Sequence, residues 1–199
     1  MKQRINKILV IAEARVGGYY FTKYLANGYG LEFHHEPRFP HGFNMITSNT
    51  SKLCTKLYIG HVIQHYKEHM ISLEEKVSDF CKIIGTYGFD NIFILDRRNV
   101  REHIESMVNM WKLSTNMHGD WKPTDKLDSL LTDGRIEYYT QLKIDHGLFL
   151  NKISEELDIP VIYYEDLYYN TSIVDLQGLD FIADLNKKLR KDDKPQTLL

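Results

Sequence analysis

The chain has 199 residues, 43% of them hydrophobic and 26% charged, the composition of one globular domain large enough to bury a continuous core. A net charge of −2 argues against a general nucleic-acid binder, so any anion site must be local. Two cysteines, Cys54 and Cys81, make neither a disulfide framework nor a zinc cluster, and a reducing, cytoplasmic compartment is expected.

The N-terminus, MKQRINKILVIAEAR, starts basic, but its apolar run Ile8 to Ala12 is too short for a signal-peptide core or a membrane span. It reads as a buried strand, and no membrane association is expected. Lys7 to Tyr24 continues through a turn carrying Arg15, Gly17 and Gly18 into a helix. Such a strand–turn–helix connection makes an anion site, because the first helical N–H groups point outward and the helix dipole adds positive charge there. Glycines allow close approach of a phosphate, and Arg15 offers a planar fork of donors. The Walker pattern GxxxxGK[ST] is absent: Lys23 sits too far into the helix and no Ser or Thr follows it.

The helix from Gly18 to Ala26 carries Tyr20, Phe21, Tyr24 and Leu25 at helical spacing and is closed by Asn27, Gly28 and Gly30. Leu31 to Phe33 reads as a short strand ending in His34-His35-Glu36-Pro37-Arg38. Phe39 to Ser51, rich in turn residues, reads as a surface loop, and Leu53 to Ile59 as another strand. Helices are expected over Gly60 to Met70 and Ser72 to Tyr87, the second opened by a capping box and closed by Gly88. Asn91 to Leu95 is a buried strand. It meets Asp96-Arg97-Arg98-Asn99 and then a helix with Val100, Ile104, Met107, Val108 and Trp111 on one face. Ser114 to Asp133 lacks periodicity and contains Gly119, Trp121 and Pro123, the profile of a lid or binding segment. A helix from Gly134 to Leu157, a strand from Pro160 to Tyr164 leading into Glu165-Asp166-Leu167, a helix from Ser172 to Arg190 and a frayed tail from Lys191 complete the chain. Asn49 and Asn170 begin glycosylation sequons, which without an export signal read as chance.

Strands alternating with helices imply one α/β domain over residues 1–199, a three-layer sandwich on a mostly parallel sheet. Ligands in such folds sit at the carboxyl ends of the strands. Arg15 with its glycines, His34 to Arg38, Arg97-Arg98 and Glu165-Asp166 therefore fall on one edge. Asn99 is a good N-cap, so Arg97 and Arg98 stand beside the positive end of a helix dipole, although each also reads as an ion-pair partner for Asp96 or Glu102. Ser106 lies eight residues beyond Arg98. His61, His65 and His69 share a helical face, as two zinc-binding histidines would, but HExxH and paired cysteines are absent, and a partly solvated histidine face is the plainer reading; no metal is expected.

Taken together, Ala14-Arg15-Val16-Gly17-Gly18-Tyr19 and Ile94-Leu95-Asp96-Arg97-Arg98-Asn99-Val100 with Ser106 resemble two motifs of the sulfotransferases that use 3′-phosphoadenosine 5′-phosphosulfate. The first is similar to the 5′-phosphosulfate loop in its RSGST form rather than the cytosolic lysine form, and the second to the 3′-phosphate motif. His35-Glu36-Pro37, Tyr164-Glu165-Asp166-Leu167 and Cys54-Thr55-Lys56-Leu57 echo further elements, the last a lysine-bearing strand of the bacterial trehalose-sulfotransferase-like branch. The resemblance spans Ile8 to Leu167 and implies a P-loop-like fold. It implies donor contacts from Arg15, Val16, Gly17, Gly18, Tyr19, Tyr20, Arg98 and Ser106. Arg15 would offset charge on the leaving phosphate, Lys56 that on the transferred group, and Glu36 would be the base, with His34, His35 and His61 as substitutes. The implied reaction moves a sulfuryl group to a hydroxyl of a carbohydrate or small metabolite, releasing adenosine 3′,5′-bisphosphate without a metal. Trp111 or Trp121 is a candidate to stack on the adenine, although core packing is the plainer reading for Trp111, and the loops 39–51 and 114–133 would line the acceptor pocket, which a second subunit would complete if the chain dimerises. The chain departs from the family where Val16, Gly18 and Tyr19 stand in place of hydroxyl side chains. Two other readings stand beside this one: a fold of this kind that binds a nucleotide without catalysis, and a P-loop-type small-molecule kinase, which would need a Walker lysine and a magnesium-holding hydroxyl.

Overall fold

The computed structural model describes residues 5–67, 71–112 and 133–168. Its centre is β1 (Lys7–Ala12), whose Ile8 to Ala12 are all fully buried. Side chains of a strand alternate between faces, so a run buried without interruption must be covered on both sides. Ile8, Val10 and Ala12 join Phe21, Leu25 and Ala26 of α1 (Gly18–Tyr29) in one apolar cluster. Leu9 and Ile11 face the other way, into a second cluster built by α2 (His41–Asn49), α3 (Ile59–Tyr66), α4 (Leu73–Gly85) and α6 (Asp133–Leu157).

The remaining strands are β2 (Glu32–His35), β3 (Leu53–Tyr58), β4 (Asn91–Asp96) and β5 (Val161–Tyr163). All five run parallel in the order β2-β3-β1-β4-β5. The chain builds β2 and β3 on one side of β1, then crosses to β4 and β5 on the other. That reversal makes the carboxyl end of β1, between β3 and β4, the topological switch point of the sheet. The short α5 (Val100–Lys112) packs against α6, and α7 (Tyr164–Tyr168) follows β5 directly.

Local signals account for most boundaries. Ser72 and Glu75 form the expected capping box, with Ser72 Oγ accepting from Glu75 N at 3.2 Å and Glu75 Oε2 from Ser72 N at 2.7 Å. Gly30 takes the left-handed conformation that ends α1. Asn99 caps α5, its Oδ1 accepting from Glu102 N at 3.2 Å.

Two elements differ from expectation: Tyr164, expected to end the last strand, opens the helix α7, and the segment expected as a surface loop is helical. Within residues 39–51, expected as a surface loop, His41–Asn49 form α2, and Phe43 and Thr47, one turn apart, are fully buried. Burial of Phe43 against Phe39, Tyr87 and Phe89 outweighs the turn-forming composition, and Thr47 satisfies its hydroxyl on the Phe43 carbonyl at 2.7 Å. This segment is therefore committed to the core along one face and is not a free loop for an acceptor. Trp121, His69, the segment 114–132, the helix expected after Ser172 and the tail from Lys191 lie outside the described residues. Among the described residues, no helix is long and apolar enough to cross a membrane.

Candidate active site

The connection from β1 to α1, residues 13–17, lies at the switch point. Arg15 and Gly17 both adopt left-handed backbone, with φ of 60° and 70°. Such a conformation is easy for glycine and disfavoured for arginine. The Arg15 side chain is tied down as well, its Nε donating to Ser106 Oγ at 3.1 Å.

Lys56 leaves the carboxyl half of β3 and runs beneath the start of α1. It is 4% exposed, and its ammonium group is paired with the Glu36 carboxylate. Glu36 stands just beyond β2 with φ of 49°, and its N–H donates to the Lys56 carbonyl at 2.9 Å. Each residue thus fixes the other through side chain and main chain. A Cβ on Gly18 would lie 2.7 Å from Lys56 Cε, so the glycine leaves room for the lysine.

The electrostatics follow from this crowding. Burial, reinforced by Arg97, pulls the Arg15 guanidinium below its ordinary pKa, with Tyr164 and Tyr20 opposing. Burial likewise lowers the Lys56 ammonium, Glu36 partly restores it, and Arg15 lowers it further. Burial resists ionisation of Glu36, but the Lys56 ammonium, helped by His35 and His61, outweighs it and holds the carboxyl below the usual range. Arg15 therefore feels the charge of Arg97 and in turn opposes that of Lys56 at a partly desolvated edge, a field that an anion would relieve.

The expected residues divide into two groups. Arg15, Gly17, Gly18, Lys56, Glu36 and Ser106 converge. Val16 is buried among the side chains of the first apolar cluster, so its side chain faces away from the loop surface. Tyr19 is half-buried, its ring against Phe33 at 5.4 Å and His35 at 4.9 Å, while Tyr20 is exposed. Ser106, expected beside Arg98, bonds Arg15 instead.

Arg98 is engaged elsewhere. Its two terminal nitrogens donate to both oxygens of Asp166, at 2.6 and 2.7 Å, and its guanidinium lies 4.1 Å from the Tyr163 ring centre. Glu165 accepts from the N–H groups of Arg98 at 3.0 Å and Asn99 at 2.9 Å. Two internal carboxylates from the start of α7 thus occupy the helix end and the arginine assigned to a 3′-phosphate. Arg97 pairs with Glu102 at 2.7 Å, one of the two alternatives its sequence context offered, and stacks over Tyr164 at 4.5 Å.

The kinase-type parts are spent on other contacts. Thr22 donates its hydroxyl to the Gly18 carbonyl at 2.6 Å, and Lys23 lies 5.6 Å from the Tyr19 ring centre. His34 pairs with Glu32 at 2.7 Å. His61 interacts with Glu36: burial lowers its pKa, Glu36 raises it, and its ring lies 5.1 Å from that of Tyr58.

A buried polar network behind the loop escaped the sequence reading. Glu13, at the end of β1, is fully buried; its Oε1 lies 3.1 Å from His146 Nδ1 and its Oε2 3.3 Å from Lys143 Nζ. Lys143 also pairs with Asp96 at the end of β4. His103 of α5 donates from Nε2 to the Ala14 carbonyl at 2.7 Å, with Nδ1 3.8 Å from Glu13 Oε2. Glu13, Asp96 and His103 cluster tightly enough to hold a metal. Lys143, however, already sets an ammonium group between the two carboxylates, so a resident lysine supplies the positive charge there. The signal available was slight: His146 falls in the apolar stripe of α6, an odd place for an unpartnered histidine.

No family model, curated protein or solved structure matches the chain.

Proposed function

We propose that the protein is a sulfuryl transferase of the P-loop-like kind, taking the group from 3′-phosphoadenosine 5′-phosphosulfate to a hydroxyl acceptor. The observation that carries this reading is the convergence of Arg15, Lys56 and Glu36 around Gly17 and Gly18 at the switch point of the sheet. Two cations and a carboxylate at one anion loop supply the parts such a transfer requires.

The chemistry is a displacement at sulfur. A bond forms between the acceptor oxygen and sulfur while the bond from sulfur to the bridging phosphate oxygen breaks. The departing bisphosphate keeps that electron pair, and the acceptor's proton passes to the Glu36 carboxylate. Arg15 offsets charge developing on the bridging oxygen, and Lys56 that on the transferred group. Pairing with Lys56 keeps Glu36 in the ionised form that can accept a proton, while making it a weaker base.

A second reading, nucleotide binding without transfer, is favoured by one observation: Val16 is turned into the core, and its position offers no hydroxyl to the transferred group. Calorimetric titration separates the possibilities. Adenosine 3′,5′-bisphosphate should bind, weaken on Arg98→Ala, and be preferred over ATP with magnesium; the reverse preference sinks the nucleotide assignment. Transfer of labelled sulfuryl from the donor, abolished in Arg15→Ala and Glu36→Ala, distinguishes enzyme from binding protein.

A further inference from the structure

His103 has no place in the transfer chemistry, yet it is fully buried and makes one directed contact, to the main chain of the anion loop. A carbonyl oxygen only accepts, so the ring proton is on Nε2. Burial pushes the His103 imidazole below its ordinary pKa, against the pull of Glu13 and of the Ala14 carbonyl. Nδ1 lies 3.8 Å from Glu13 Oε2, and neither atom has a hydrogen-bond partner. Lys143 at 3.3 Å from that same oxygen makes the arrangement tolerable.

The consequence lies in the peptide plane. Ala14 C=O and Arg15 N–H belong to one trans amide and point in opposite directions. A carbonyl held against α5 forces the Arg15 N–H to the side away from α5. Arg15 is held at a φ of 60°, which a residue with a side chain adopts only when its surroundings impose it. Ser106, one helical turn beyond His103, fixes the guanidinium of the same residue. The helix α5 thus grips the loop twice, once by its main chain and once by its arginine.

We propose that His103 is a positioning residue for the anion site: its Nε2–H, bound to the Ala14 carbonyl, sets the loop so that Arg15 and the N–H groups at the start of α1 receive an anion together. This rests on the assignment of residues 13–18 as an anion loop. It adds a role for a residue outside the motifs that suggested the function.

Three substitutions test it, with inorganic pyrophosphate and adenosine 3′,5′-bisphosphate as probes. His103→Gln places an amide near the position of Nε2; His103→Asn is polar but too short; His103→Leu has no donor. With folding verified by circular dichroism and thermal melting, His103→Asn and His103→Leu should bind pyrophosphate about tenfold more weakly, whereas His103→Gln stays within about threefold of the wild type. Equal affinity in all folded variants overturns the proposal, as does equal loss in His103→Gln and His103→Leu, since the donor would then be irrelevant. Should His103→Leu fail to fold, the comparison of Gln with Asn decides. Wild-type protein that binds pyrophosphate but not the bisphosphate refutes the nucleotide reading and leaves His103 to be judged by the same variants. Wild-type protein that binds neither overturns both.

Discussion

Gly18 and Lys56 compete for one volume: a Cβ on the glycine would lie 2.7 Å from Lys56 Cε and 3.2 Å from Ala12 Cβ. Gly18 is not among the residues with left-handed φ, so space, not backbone freedom, demands glycine there. In an unconstrained helix, Gly→Ala would stabilise by about 0.4–1 kcal/mol. Here the lysine stem is buried and held by Glu36, so it cannot swing aside at no cost. Gly18→Ala is expected to destabilise by about 1–3 kcal/mol, the usual range for overpacking. Urea denaturation measures this, and adding Lys56→Ala should recover most of the loss. A Gly18→Ala protein more stable than wild type would mean that Lys56 moves freely.

Lys56 and Glu36 should behave as a coupled pair. Glu36→Gln leaves a buried ammonium without its counter-charge, an arrangement that typically costs about 3–5 kcal/mol when fully desolvated. The Glu36 side chain retains 30% exposure, so water moderates the loss, and about 2–3 kcal/mol is expected. Lys56→Met should cost less, because the carboxylate left behind reaches solvent. A double-mutant cycle by urea denaturation should therefore show the double variant losing less than the two single losses combined; strict additivity would mean the pair contributes no coupling.

Much of this arrangement follows from short-range chemistry. The apolar run of β1, the Ser72–Glu75 box and the Asn99 cap are local features, and each stands where periodicity and capping rules put it. The convergence of Arg15, Glu36 and Lys56 follows from parallel strands ending on one edge. What the sequence hides is set by distant partners. Glu13 and His146 are 133 positions apart, and neither residue alone marks a buried polar contact. Arg98 taken alone reads more readily as an ion-pair partner than as a phosphate ligand, but its partner, Asp166, stands 68 positions away rather than beside it in sequence. α2 was masked by Pro40, Gly42 and Asn44, since its burial rests on the contacts of Phe43 and Thr47.

Acid should expose the Lys56–Glu36 contact. The folded-state pKa of Glu36 lies below its ordinary 4.5, so its contribution to stability is fully present above that value and is lost as pH falls through the lowered folded value. His35 and His61 also favour the Glu36 carboxylate, after Lys56. Stability measured by urea midpoint from neutral pH downward should fall more steeply in the wild type than in Lys56→Met below the ordinary carboxylate range. Identical slopes would show that the pair does not titrate with folding.

Asp166 decides how available the second cradle is. It engages both terminal nitrogens of Arg98, while Glu165 takes the two N–H groups at the start of α5, so two negative charges sit where a phosphate would bind. Stacking on Tyr163 at 4.1 Å still holds the guanidinium in place when Asp166 is neutral. Asp166→Asn removes one repulsive charge and a competitor for Arg98 without removing the arginine. Because the Arg98 side chain is 54% exposed, the gain is screened, and a bisphosphate affinity about three- to tenfold higher than wild type is expected. The effect should shrink as salt is raised, and Arg98→Ala should abolish it. Weaker binding in Asp166→Asn, with the fold intact, would reverse the interpretation: the aspartate would then be the group that orients Arg98 for the ligand.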